Sequence, residues 1–226
     1  MRRINKIFVP IVISQFFCFE TYARAGGGGS GGGGPLSGIL LIPLLIFNGV
    51  LFLLIKHKVK QNKKLIEEAA KSDSSWNYEW MMNYAKEMFF VVQEAWTKRS
   101  TDLIKNNITA QLDKEYSDVF LEMRENHVIN VIKNIDIKEI KIIGAKDYID
   151  NHKDCFQAHI KGRLTDYTID ETTDEIIINP IKYSNPFTDI FHFVRSENGW
   201  MLDCIENDPS VRQIIFSKTF KEIPKD

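Results

Sequence analysis

The chain has 226 residues, enough for one compact domain with attachments or for two small domains, which excludes a large two-domain metabolic enzyme. Its 29 Lys and Arg against 30 Asp and Glu average over three unlike parts: net +3 over residues 1–25, +4 over 56–71 and −8 over 72–226. A nucleic-acid binder must place basic groups on phosphates, and here they flank an apolar run while the globular part is acidic, so that class is excluded.

Residues 1–25 start basic (Arg2, Arg3, Lys6), continue apolar from Ile7 to Phe19 and end in Ala23-Arg24-Ala25. This order is that of a secretory signal with a small-residue cleavage site, the alternative being an uncleaved first anchor. Residues 26–35 carry eight of the 13 glycines and read as a flexible linker. Leu36 to Ile55 is an apolar run of the length a transmembrane helix requires, interrupted only by Pro43 and Asn48. Lys56, Lys58, Lys60, Lys63 and Lys64 follow at once, and lysines beside a span mark the cytoplasmic side. The expected topology is a single pass in the inner, cytoplasmic membrane of a bacterium after signal cleavage, with the carboxy-terminal domain in the cytoplasm. Residues 56–73 form a basic juxtamembrane segment whose lysines either meet anionic headgroups at the membrane surface or serve only as a topology signal.

The globular part is expected over residues 74–208, leaving 209–226 as a tail. Ser74 or Ser75 is a helix cap ahead of a series at four-residue spacing, Trp76, Trp80, Tyr84, Met88, Val92 and Trp96, widened by Met81, Ala85 and Phe89 into a broad apolar face. Ser100 and Thr109 are expected to start two further helices, the second carrying Leu112, Tyr116, Val119, Phe120 and Met123. After Asn126 the pattern turns to β-alternation. Ile135 and Ile137 keep one parity and Ile140 and Ile142 the other, so a β-bulge is expected between them. Phe156, Ala158 and Ile160 share a face opposite His159, and a polar turn at Asp170–Asp174 leads to Ile176–Ile178. The last pair runs Phe187–Arg195 and Trp200–Glu206, joined at Ser196-Glu197-Asn198-Gly199. Leading helices packed on a curved antiparallel sheet make an α+β fold with a concave side.

Several blocks carry a resemblance when taken together: Val92-Gln93-Glu94-Ala95-Trp96-Thr97-Lys98-Arg99, Asp166-Tyr167-Thr168-Ile169-Asp170, Asn185-Pro186-Phe187-Thr188, and Phe193-Val194-Arg195 followed by Gly199-Trp200-Met201-Leu202-Asp203. In order and spacing they resemble the TIM-44-like domain family, over about residues 75–208. The resemblance implies a cystatin-like cone, similar to nuclear transport factor two, with an apolar pocket, no catalytic motif, and association with membranes, phospholipids or protein partners. Pocket candidates are Trp76, Trp80, Tyr84, Met88, Val92, Trp96, Phe156, Ile160, Phe191 and Phe193.

For an enzyme of the ketosteroid-isomerase type the candidates are His159, His192, Asp203, Tyr148 and Tyr167. His159 and His192 alternate against the apolar set, and Asp203 groups with Met201 and Ile205, on a face the pattern does not assign. Asp147, Asp150 and Asp154, and Asp170, Glu171, Asp174 and Glu175, lack the glycine and terminal glutamate of a calcium loop. No metal or other cofactor is expected. Cys155 and Cys204 lack zinc-ligand spacing and are expected to stay reduced in the cytoplasm, pairing only if the domain lies outside. The reading is a non-catalytic, membrane-anchored module binding an apolar ligand, a phospholipid or a basic protein partner, with an assembly subunit of a secretion complex as the alternative.

Overall fold

A computed structural model describes residues 36–178 and 184–223, with the side chains of 36–42 and 44 left out of the description. The expected signal and glycine linker lie outside the described residues. The chain divides into two compact units, residues 1–53 and 54–226, so each is treated by itself.

The first described element, α1, runs Leu36–Ala69 and carries the apolar run without interruption into the lysine stretch. In the first unit Leu45, Ile46, Phe47, Val50, Phe52 and Leu53 are exposed, Leu45 by 69%. Among the described residues no helix is long and apolar enough to cross a membrane. The crossing expected over Leu36–Ile55 is therefore not met there, since the opening side chains of the run fall outside the description and the described helix soon turns polar.

In the second unit the end of α1 belongs to the domain. Leu65, Ile66 and Ala69 lie in the main core, ahead of where the pattern placed the domain's start. α2 (Tyr78–Lys98) is capped by Asn77, whose side chain accepts from the Trp80 N–H, and not by Ser74 or Ser75. Ser75 is drawn off by other partners: its carbonyl accepts from the Trp200 indole at 3.0 Å and its hydroxyl meets Arg195. Arg99 closes α2 in the left-handed conformation. The helix expected at Ser100 does not form; residues 101–107 make turns instead. α3 (Ala110–Glu125) starts as expected on Thr109.

The strands are β1 (Val128–Asp147), β2 (Cys155–Asp170), β3 (Ile176–Ile178), β4 (Asn185–Ser196), β5 (Gly199–Asn207) and, after the short helix α4 (Val211–Phe216), β6 (Thr219–Lys221). Their order is β5-β4-β2-β1-β6, with β3 on β2. The sheet is mixed and not wholly antiparallel, because β6 joins β1 in parallel. The register slips between Ile137 and Glu139, where the parity change required a bulge, and twice more along β1. Gly162 sits opposite the bulged stretch, where a Cβ would fall 2.3 Å from the Asp136 carbonyl oxygen. Gly199, at φ 116°, closes the expected β4–β5 hairpin.

One face of the sheet carries Phe156, Ala158 and Ile160 of β2 against Phe191 and Phe193 of β4, all fully buried under α2, whose Phe89 stacks on Phe187 at 5.0 Å. The opposite face holds a smaller cluster, Ile143, Ile190 and Ile214, with Ile55 of α1 against it. Both faces are thus covered near β1 and β4. The segment expected as a tail supplies part of the second cover.

Candidate functional site

The α2 series divides by exposure. Trp76, Met88 and Val92 are buried, whereas Trp80 is 47% exposed and stacks on Tyr84 at 4.7 Å. The Tyr84 hydroxyl donates to the Trp200 carbonyl at 2.8 Å and accepts from Asn107. Trp96 meets Tyr116 and Phe120 edge-on, at 5.4 and 5.2 Å. Of the strand residues, Phe156 stacks on Phe193 at 4.5 Å, and Trp200 stands edge-on to both Phe156 and Trp76 at 4.9 Å. Ile160 and Phe191 complete the same buried layer. The fold therefore brings Trp76, Phe156, Phe193 and Trp200 into one interlocked aromatic cluster in offset and edge-on contacts that each add to area burial. Trp200, which the pattern left out of the pocket set, is its centre.

The lysines after the apolar run are used unequally. Lys58 is part-buried and donates to the Ser217 carbonyl. Lys63 and Lys64 reach Glu67 and Glu68 one turn on, at 3.9 and 3.8 Å, and Lys63 also lies 5.2 Å from the Tyr78 ring centre. Lys56 and Lys60 are exposed, and no ion pair engages them among the described residues. Against this stretch sits the carboxy-terminal hook. Ser210 and Gln213 form a reciprocal cap on α4, the Ser217 hydroxyl donates to the Ile143 carbonyl at 2.6 Å, and the Thr219 hydroxyl donates to buried Asn62 at 2.8 Å. Between α4 and the sheet lies a recess of about 330 Å³ walled by Gln157, His192, Glu206, Arg212, Gln213 and Phe216. Its polar wall is a chain of contacts: Gln157 Nε2 to His192 Nδ1 at 3.1 Å, His192 Nε2 to Glu206 at 3.0 Å, and Gln213 donating to Glu206 at 2.9 Å.

The groups named for catalysis do not converge. His159 faces away from the Phe156 layer, as alternation requires, yet it is 6% exposed, and neither ring nitrogen has a hydrogen-bond partner. Burial lowers its pKa to about 4, so the ring is neutral. His192 is likewise lowered by burial, against the pull of Glu206. Asp203 is the extra residue at a register slip between β4 and β5, which is why alternation does not assign its face. Tyr148 packs on Phe220 at 5.3 Å, and Tyr167 pairs with Val131 beside Lys133, on another part of the sheet.

The strongly shifted groups are ones the pattern passed over. Asp189 is pushed up to about 7 by desolvation, with one oxygen accepting from Asn207 at 2.9 Å. Burial pushes Tyr116 up to about 12, and Asp189 adds to the rise. The signal for Asp189 was present: it alternates with Phe187, Phe191 and Phe193 on the inner parity of β4. Among the described residues no group of three or more His, Cys, Asp or Glu is placed to hold a metal ion. Cys155 and Cys204 are both free. They sit on β2 and β5 with β4 between them, two strand spacings or roughly 10 Å apart, beyond the reach of a disulfide. Their redox state consequently carries no information on which side of a membrane the domain lies.

No curated protein sequence matches the chain. Among solved structures it is similar to the crystal structure of the intermembrane space region of the chloroplast protein ARC6, at 12% identity, covering 56% of this chain and 97% of that one with a TM-score of 0.35. The Tim44-like domain description matches residues 62–207, more than half of the chain, and its start at Asn62 coincides with the part of α1 that enters the domain core. From that match, the chain belongs to the Tim44-like domain family.

Proposed function

We propose that the protein is a membrane-attached, non-catalytic binding module, an accessory to transport or assembly, held by the apolar part of α1. One observation carries this reading: the exposed side chains Leu45, Ile46, Phe47, Val50, Phe52, Leu53 and Leu54 fill seven of the ten positions 45–54, as two runs of three with Val50 between, and so spread round the helix instead of forming one stripe. A helix apolar all round is stable in water only when covered, and a bilayer covers every side at once. Membership of the Tim44-like family supports the same role. The lysines that follow support an orientation with the domain on the cytoplasmic side of the inner membrane of a bacterium. The aromatic interior, filled by its own rings, favours recognition on the outer surface of the domain over cargo held inside, and the net −8 of residues 72–226 favours a basic protein partner. The test has two readouts on the full chain in its own membranes. Alkaline carbonate is expected to leave it in the membrane pellet, and protease added to intact spheroplasts is expected to spare the domain. Release by carbonate would overturn the attachment, and cleavage of the domain from outside would overturn the orientation and favour the secretion-complex alternative.

A further inference from the structure

We infer that the carboxy-terminal hook, residues 209–223, is a second membrane contact, which docks Phe216 and its basic neighbours into the headgroup layer of an anionic bilayer. This rests on the membrane attachment proposed for α1 and adds to it a site beyond the family match, which ends at residue 207.

The hook is fixed to α1 at the point where the apolar run ends. Ile55, the last residue of that run, packs with Ile214, and Lys58 donates to the Ser217 carbonyl. Phe216 is therefore carried beside the first turn after Ile55. One helical turn rises about 5 Å, and the polar layer on each side of the hydrocarbon core is roughly 5–7 Å deep. With Ile55 at the hydrocarbon edge, Phe216 falls within that layer. Its side chain edges the recess yet contributes little to the core: it is 72% exposed, on a six-residue helix that buries only Ile214.

Charge selects the occupant. Arg212 lies 5.9 Å over the Phe216 ring, and Arg212, Lys218, Lys56 and Lys60 are exposed with no carboxylate in ion-pair reach among the described residues. These cations, two on the hook and two on α1, stand against Glu206 in the recess wall and Glu222 near the hook's end, and still depart from the acidic balance of the domain. Because charges beyond about 8–10 Å are screened at physiological salt, the local sign governs contact with a surface. An aromatic ring under a guanidinium, flanked by lysines, matches an anionic lipid interface and opposes the basic protein partner proposed for the rest of the domain.

The experiment uses the full chain with its cysteines replaced by serine, carrying Phe216→Cys labelled with a nitrobenzoxadiazole fluorophore. It is reconstituted in vesicles of phosphatidylglycerol and phosphatidylcholine containing a lipid with a nitroxide near the headgroup. Asn198→Cys, in the β4–β5 hairpin, is the comparison site, and Lys218→Cys gives a second reading if the first variant does not fold. The expected results are flotation with the vesicles, several-fold stronger quenching at 216 than at 198, and loss of that difference in Arg212→Gln/Lys56→Gln/Lys60→Gln or at high salt. Flotation with a solvent-like label at 216 would overturn the hook contact and leave the α1 attachment standing. Failure to float would overturn both. A label at 216 shielded equally in detergent without lipid would mean that protein, not lipid, covers the hook, and would also overturn the inference.

Discussion

Asp189 lies on β4 among Phe187, Phe191 and Phe193, and its burial raises its pKa to about 7 while the same carboxyl in the unfolded chain titrates near 4. Over that window the folded chain keeps a proton that the unfolded chain releases, so stability falls as pH rises from about 4 to about 7 and stays low above it. Asp189→Asn retains an acceptor for Asn207 and cannot ionise. It is expected to exceed the parent in stability by on the order of 2 kcal/mol at pH 8 and to differ little at pH 4, as read by denaturant unfolding at both. His159 acts in the opposite sense. Held at about 4 against roughly 6.5 when unfolded, it refuses a proton that the unfolded chain accepts, so stability is lost as pH falls through that interval. Since its ring nitrogens are buried without partners, His159→Phe is expected to flatten the acid limb of the stability profile at no cost near neutrality. A parent-like acid limb in that variant would contradict the burial of the ring.

At the scale of elements, the long strand β1 is bent by three register slips, and the middle one depends on its neighbour β2 offering no side chain at Gly162. A methyl there would press on the Asp136 carbonyl and the Phe187 ring, the ring on which Phe89 of α2 stacks. Gly162→Ala is therefore expected to destabilise the domain by about 2–4 kcal/mol, with the loss seen in thermal melts and in faster amide exchange along β1 and β2. A neutral result would mean that the bulge relaxes independently of β2. The hook shows the other way elements are secured here. Its six-residue helix is too short to hold its own shape, and it is stabilised by its cap, by Ile214 on the sheet and by Thr219 on Asn62.

For the whole molecule, charge is segregated along the chain, with a basic stretch directly after the apolar run and an acidic domain beyond it. Under the proposed membrane attachment, the lysines and not the domain set the orientation, because positive charge next to an apolar segment fixes which side it faces. Replacing Lys56, Lys60, Lys63 and Lys64 by Gln leaves Lys58 on Ser217 and removes four charges. The expected outcome is a mixed population in spheroplasts, with part of the domain newly cut by external protease; unchanged protection would show that orientation is set elsewhere in the chain.

What the sequence determined by itself was whatever rests on local periodicity: the apolar face of α2, the cap at Thr109, the parity change that requires a bulge near Lys138, the hairpin at Gly199 and the blocks that mark the family. Such features need only the residues a few positions away. The tertiary structure alone decided which polar side chains lose their water. His159 stands on the outer face in both accounts, yet whether that face is wet depends on segments brought from far along the chain, such as Ile214 of α4 and Ile55 of α1. Asp203 escaped assignment because a slip in pairing with β4 shifts its parity, and the slip is a property of two strands together. The segment after 208 likewise read only as a tail because its order comes from α1 and β1, not from its own short helix.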